Sequence, residues 1–186
     1  YLNVYECHPQ SFISEKQKGN FVFAENFEDN SFNWYTGKNE KWHFEISHGF
    51  YHIKKKKSDD KATNWTTKLP FNNQKDFYIE SAFVFYKAAE NDGYGLVWGY
   101  KDVDNKFEFL LSADGKFKIL KKEKGSSEVL IDWTYSPLIH TGTGAVNLLG
   151  IERSGNSFVF YINDRRAGVS DYSDFFGNEA GFIVYN

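Results

Sequence analysis

Phe107-Glu108-Phe109-Leu110-Leu111-Ser112-Ala113-Asp114-Gly115-Lys116-Phe117-Lys118-Ile119 is the stretch that decides the fold class. Two runs of alternating apolar residues flank an Asp-Gly pair, the strongest short-range signal for a β-hairpin. The spacing predicts strands over 107–112 and 116–121, joined at Ala113-Asp114-Gly115. Upstream, Tyr94 to Tyr100 alternates with Tyr94, Leu96, Trp98 and Tyr100 on one side and Gly93, Gly95, Val97 and Gly99 on the other. Before that, Phe77 to Tyr86 sets Phe77, Ile79, Phe83 and Phe85 against Tyr78, Glu80, Val84 and Tyr86. Downstream, Val146 to Arg153 and Ser157 to Asn163 predict a second hairpin over Ser154-Gly155-Asn156, with Asn163 suited to a tight turn. Trp42 to Ile46 and Phe50 to Lys54 predict a third around His48-Gly49.

Further short strands are expected at Phe21 to Glu25, Asn64 to Leu69, Val129 to Trp133 and Gly181 to Tyr185. Turn residues recur at the spacing of sandwiches and barrels, and no window holds an apolar stripe of helical period. So many short strands exceed one flat sheet. The fold expected is all-β, a two-sheet antiparallel β-sandwich of jelly-roll kind, with its first and last strands paired to protect their edges. One helical turn is expected at Tyr172 to Phe176. Residues 1–20 are polar and aperiodic and read as a leader or linker, leaving 21–186 as a single jelly-roll domain.

Composition bounds the function. Aromatic residues make up 19% of the chain, with 19 Phe, 12 Tyr and 5 Trp, so rings supply much of the core. A single Cys, Cys7, excludes an intrachain disulfide framework and a multi-Cys zinc site. Net charge is −3, which gives no global attraction to nucleic acid. No apolar run approaches a membrane span. The absence of Met and the start at Tyr1 are read as signs of excision from a larger polypeptide, whose other domains are expected partners. Lys54 to Lys57 form a dense basic run, read either as a solvated strand end or as a patch for an anionic glycan. Asn64-Trp65-Thr66 matches a glycosylation sequon.

Several stretches occur in an order that resembles a known superfamily. They are Asn26 to Trp34, Phe50 to Ile53, Asp92 to Asn105 (Asp-Gly-Tyr-Gly-Leu-Val-Trp-Gly-Tyr-Lys-Asp-Val-Asp-Asn), Phe107 to Ile119, and Asn147 to Asn163. Read together, they resemble the concanavalin A-like lectin/glucanase superfamily, nearest to bacterial laminin-G-like and 3-keto-disaccharide-hydrolase-like jelly-roll modules. The resemblance covers about Phe21 to Asn186. It implies the sandwich fold, an extracellular or periplasmic setting, and either glycan binding, glycoside hydrolysis or a purely structural role. It also implies a structural Ca²⁺, for which Asp102, Asp104, Glu28 and Asp29 are the candidate oxygen ligands.

Hydrolysis needs two carboxylates flanking the scissile bond. The glucanases of this superfamily carry Glu-x-Asp-x-x-Glu, or a shorter variant, on one strand. Here the comparable strand has Glu80, but Ala82 and Val84 follow it on the same face. Glu108 is left as a cross-strand partner. The reading favoured is therefore a non-catalytic carbohydrate-binding or surface-interaction module. Tyr78, Tyr86, Trp98, Tyr100 and Trp65 are its candidate stacking rings, and Glu80, Asn105 and Glu108 its polar partners, on a concave face or its rim. Core packing is the competing reading for each ring.

Overall fold

The computed structural model describes residues 2–6, 20–56, 63–70, 72–86 and 93–185. Among them there are fifteen strands and no helix. These are β1 (Leu2–Glu6), β2 (Asn20–Glu25), β3 (Gly37–Lys38), β4 (Trp42–Ser47), β5 (Phe50–Lys55), β6 (Thr63–Lys68), β7 (Phe77–Val84), β8 (Gly93–Asp102), β9 (Asn105–Ser112), β10 (Lys116–Glu123), β11 (Ser126–Tyr135), β12 (Val146–Ser154), β13 (Ser157–Ile162), β14 (Arg165–Asp171) and β15 (Glu179–Val184). The first sheet runs β14-β13-β12-β7-β1-β2, the second β11-β10-β9-β8-β15-β6, and a small third sheet β3-β4-β5. Every pairing is antiparallel. The chain changes sheets at β6–β7, β7–β8, β11–β12 and β14–β15, as a jelly-roll sandwich does.

The predicted hairpins form where the turn chemistry put them. At β9–β10, Leu111 faces Phe117 and Glu108 faces Leu120. His48 and Gly49 both have positive φ, as do Asn163 and Asp164, which gives two-residue turns matched to strand twist. Between the sheets lies one ring-rich core. Phe77, Ile79, Leu149, Ile151, Phe158 and Phe160 meet Leu96, Trp98, Phe107, Phe109, Leu111 and Phe117 across the gap. Trp98 sits 5.9 Å from Phe158 at 83°, and Phe109 sits 5.5 Å from Phe160 at 75°. Such edge-to-face pairs contribute about 0.5–1.5 kcal/mol each beyond the area they bury.

The third sheet closes one flank. Its inward residues Trp42, Phe44, Ile46, Tyr51 and Ile53 alternate with outward ones, and Phe44 rests on Trp65 with centroids 3.8 Å apart. Beside it, the buried Glu25 carboxylate accepts from the Phe27 amide at 2.8 Å and from the Trp34 indole at 2.7 Å. Asn147, also buried, holds the 136–145 connection. It accepts from the His140 amide and donates to the His140 carbonyl, each at 2.8 Å.

Four expectations are revised. Part of the proposed leader is sheet, because Leu2–Glu6 pairs with both β2 and β7. Cys7 and the rest of the leader through Gly19 lie outside the described residues, as does Lys57. The first and last strands do not pair: β2 is an edge of the first sheet, while β15 lies between β8 and β6 in the second. Tyr172 to Phe176 makes no helical turn; Tyr172 is held instead against the Phe158 ring at 5.1 Å and under the Arg153 guanidinium at 3.8 Å. Tyr100 leaves the face of Trp98, because the β8–β9 register shifts between Trp98 and Asp102, where Gly99 has φ +56°. The bulge re-aims the following side chain.

Gly95 is required by its neighbour. A Cβ there would stand against the Phe109 carbonyl oxygen of the paired strand, a backbone atom that cannot rotate away. Gly95→Ala is expected to destabilise the fold by about 1–3 kcal/mol, the usual cost of overpacking. Urea unfolding checks this, and an unchanged midpoint would show that the strands can part there at no cost.

Candidate functional site

The sequence-predicted residues separate onto three parts of the sandwich. Trp98 is 0% exposed in the core and reaches neither face, because its strand neighbours on both sides are also buried. Trp65 is half-buried beneath the third sheet, stacked near Phe44 and Tyr35. Tyr86 lies beyond the end of β7 and is 62% exposed. Asn105 serves the turns: its amide donates to Asp102 at 2.8 Å and its oxygen accepts from the Lys124 amide at 3.1 Å.

Tyr78 and Glu80 lie on the outer face of the first sheet, and both are buried. Tyr78 crosses Gly150, the one spot on β12 without a side chain to obstruct it. Burial, with Glu80 nearby, raises the Tyr78 hydroxyl far above the ordinary tyrosine range. On the same face the Tyr161 hydroxyl donates to Glu152 at 2.6 Å.

Glu108 and Tyr100 lie on the outer face of the second sheet. Glu80 and Glu108 therefore point away from each other with the core between them. Packed sheets stand about 10 Å apart. The cross-strand carboxylate pair considered for hydrolysis is not formed by these two residues.

The four candidate calcium ligands divide between two turns. Asp29 accepts from the Ser31 amide at 2.8 Å, and that bond lowers its pKa. Asp102 accepts from Asn105 and from the Asp104 amide, and these bonds, Asn105 first, lower its pKa. Asp104 stands 3.6 Å from the Lys122 ammonium, and the Glu28 amide donates to Asn26. Among the described residues no three His, Cys, Asp or Glu side chains converge.

The outer face of the second sheet carries a built polar network. On β9, outward Lys106, Glu108 and Leu110 alternate with the core residues Phe107, Phe109 and Leu111. Lys106 and Glu108 form an ion pair at 3.0 Å, and their side chains are 5% and 2% exposed. The second carboxylate oxygen of Glu108 accepts from the Tyr185 hydroxyl at 2.6 Å. Lys106 reaches Asn64 on β6 at 3.4 Å. Val97, Leu110 and Ile183 form the apolar floor, with Tyr100, Leu120 and Tyr185 packed against it.

Trp133, on the edge strand β11, is 38% exposed and lies on this face. The end of its indole stands beside Leu110 and Tyr185 over Gly93, and the Lys118 ammonium is 6.0 Å from its ring. Lys118 is paired in turn with Asp132 at 3.1 Å. An exposed indole, two half-buried phenols and a fixed carboxylate–ammonium pair thus share one surface.

Sequence reasoning named Glu108 and Tyr100 here and missed Lys106, Asn64, Tyr185 and Trp133. The available signal was two charges at alternate positions of an otherwise apolar strand, Lys106 and Glu108. Trp133 gave none, because it crosses two intervening strands to reach Gly93.

Burial, then the neighbouring Glu108 charge, raises the Tyr185 hydroxyl well above the ordinary tyrosine value. Tyr51, Tyr78 and Tyr161 are raised likewise, chiefly by burial. A raised folded pKa means that the native state keeps a proton the unfolded state loses. The contribution is complete below about pH 10 and falls as pH climbs past it. Stability is therefore expected to fall above about pH 10, with the part of the tyrosinate absorbance that belongs to Tyr51, Tyr78, Tyr161 and Tyr185 appearing together with unfolding. Ionisation of all tyrosines at about pH 10 in a still-folded chain would contradict this.

No protein-family model and no curated protein matches the sequence. The fold has clear structural neighbours. The carbohydrate-binding module CBM66 from Bacillus subtilis superposes with a TM-score of 0.50 at 18% identity, covering 82% of this chain and 83% of that one. Sheep galectin-11, solved in complex with glycerol, gives 0.51 at 10% identity over 66% of this chain and 93% of its own. At such identities the likeness establishes a shared jelly-roll sandwich.

Proposed function

We propose that the chain is a non-catalytic glycan-binding module and that it binds a neutral, hydroxyl-rich sugar chain on the outer face of the second sheet. The observation that carries this reading is the Lys106–Glu108–Tyr185 network, fixed and desolvated on a face that also presents the Trp133 indole. A sugar ring has an apolar face for an indole and a rim of hydroxyls that both donate and accept. Trp133 supplies the stacking surface and the half-buried Tyr100, Tyr185 and Asn64 supply polar edges for the hydroxyls, while the buried Lys106–Glu108 pair beneath them holds Tyr185 and Asn64 in place. Lys106, Lys118 and Lys122 each have a carboxylate partner on or beside this face, so the surface carries little unbalanced positive charge. That balance favours a neutral ligand over an acidic one here. The neighbours described above, one of them named as a carbohydrate-binding module, support the same reading at the level of fold.

A panel of neutral polysaccharides followed by calorimetric titration tests it. Trp133→Ala is expected to weaken binding about tenfold or more, some 1.4 kcal/mol. Tyr185→Phe, which removes only the donation to Glu108, is expected to weaken it less. Tyr86→Ala, remote from the face, is expected to change nothing. Full retention of binding by Trp133→Ala, or no binding to any neutral polysaccharide, would overturn the assignment.

A further inference from the structure

The third sheet carries a second charged surface of a different kind. Its strands alternate cleanly. Inward, Phe44 pairs with Ile53 and Ile46 with Tyr51, all against the core. Outward, Lys38 of β3 stands opposite His43 of β4, which stands opposite Lys54 of β5. Two lysines and a histidine thus form one row directly across three strands. At the end of the row the Lys56 ammonium is drawn onto the Asn39 carbonyl at 2.8 Å, which adds a further cation beside it.

On the second sheet, Lys106, Lys116, Lys118, Lys121 and Lys122 each meet a carboxylate, while Lys68 and Lys101, among the described residues, meet none. Lys38 and Lys54, among the described residues, meet none. The outward acids near the row are Glu45, which pairs in register with His52, and Glu40 in the β3–β4 turn. Neither forms an ion pair among the described residues. The remaining outward positions are Ser47 and Phe50.

We infer that this outward face is a binding surface for an anionic polysaccharide bearing sulfate or carboxylate groups. Two ammonium groups on β3 and β5, one strand apart on either side of His43 and hence roughly 10 Å from each other, suit a linear chain with regularly placed anions. Ammonium groups engage such anions singly, without the bidentate geometry that Arg offers to phosphate. The net charge of −3 gives no global attraction to a polyanion, so binding would rest on this local pair of lysines. The surface is separate from the second-sheet face and does not depend on that assignment.

The test uses the full chain and a Lys38→Gln/Lys54→Gln variant; both side chains are exposed, so the variant is expected to fold, which its unfolding midpoint checks. The probes are immobilised heparin, hyaluronan and dextran. The wild-type chain is expected to be retained on heparin and released by salt. The variant is expected to bind about tenfold more weakly at low salt. The slope of log affinity against log salt should fall by about 1.5, from roughly 0.7 per lost contact on a flexible polyanion. Retention on hyaluronan as well shows that carboxylate suffices, and retention on heparin alone assigns sulfate. Trp133→Ala should leave heparin retention intact. Co-elution of variant and wild type would overturn the inference. So would loss of retention in Trp133→Ala, or binding to single-stranded DNA or anionic lipid vesicles as tight as to heparin.

Discussion

The interlock of rings between the two sheets is the constraint on which the rest depends. Trp98 and Phe107 of one sheet meet Phe158 and Phe160 of the other at 5.6 to 6.0 Å, mostly edge to face. Rings of this size fill the gap only when strands of opposite sheets present them at matching heights. That requirement sets the positions of β8 and β9 relative to β13. Gly95 and Gly181 occur within strands for a separate, local reason. At both positions the neighbouring strand's carbonyl approaches too closely for a Cβ. Phe is spent on this interior, whereas Tyr and Trp, each with a polar atom to place, lie more often at its margins.

Once the core is built from rings, the two outer faces are left to polar chemistry, and they differ. The first sheet covers Gly150 with Tyr78 and buries Glu80 beside it, so its centre is closed by its own side chains. On the second sheet, the buried Lys106–Glu108 pair lies beneath half-buried Tyr100 and Tyr185, with the exposed Trp133 at its border. Among the described residues, the third sheet has no such compensation at Lys38 and Lys54. Three sheets of one small chain thus present a closed face, a balanced face and an unbalanced basic face.

Much of the fold was legible because local rules governed it. Asp114-Gly115, His48-Gly49 and Asn163 marked their turns, and alternation marked β7, β9 and β13. Non-local facts were not legible. A bulge at Gly99 turns Tyr100 to the outer face, and strict period-two reading cannot see it. The placement of Trp98 depended on which side of β8 met the other sheet. β1, β3 and β14 are short or polar, and they are strands because neighbours pair with them, which no window of their own sequence reveals. The candidate site was half visible. Glu108 and Tyr100 were found as residues, but their assembly with Lys106, Tyr185 and Trp133 rests on strand order. That order also separates them from Glu80 and Tyr78.

The Lys106–Glu108 pair gives the last step. A desolvated ion pair on the outside of a sheet is an inefficient way to gain stability, since an apolar pair of similar volume commonly does as well or better. Its hydrogen bonds instead lock one carboxylate between an ammonium and a phenol, each in a defined direction. An apolar replacement would leave the floor formed by Val97, Leu110 and Ile183 greasy and undirected. With the pair in place, the Tyr185 hydroxyl and the Asn64 amide are held in fixed directions above that floor, beside the exposed Trp133. The pair thus orders the surface polar groups of this face, which is what the proposed glycan site would require, while the stability of the fold is supplied elsewhere, by the rings between the sheets.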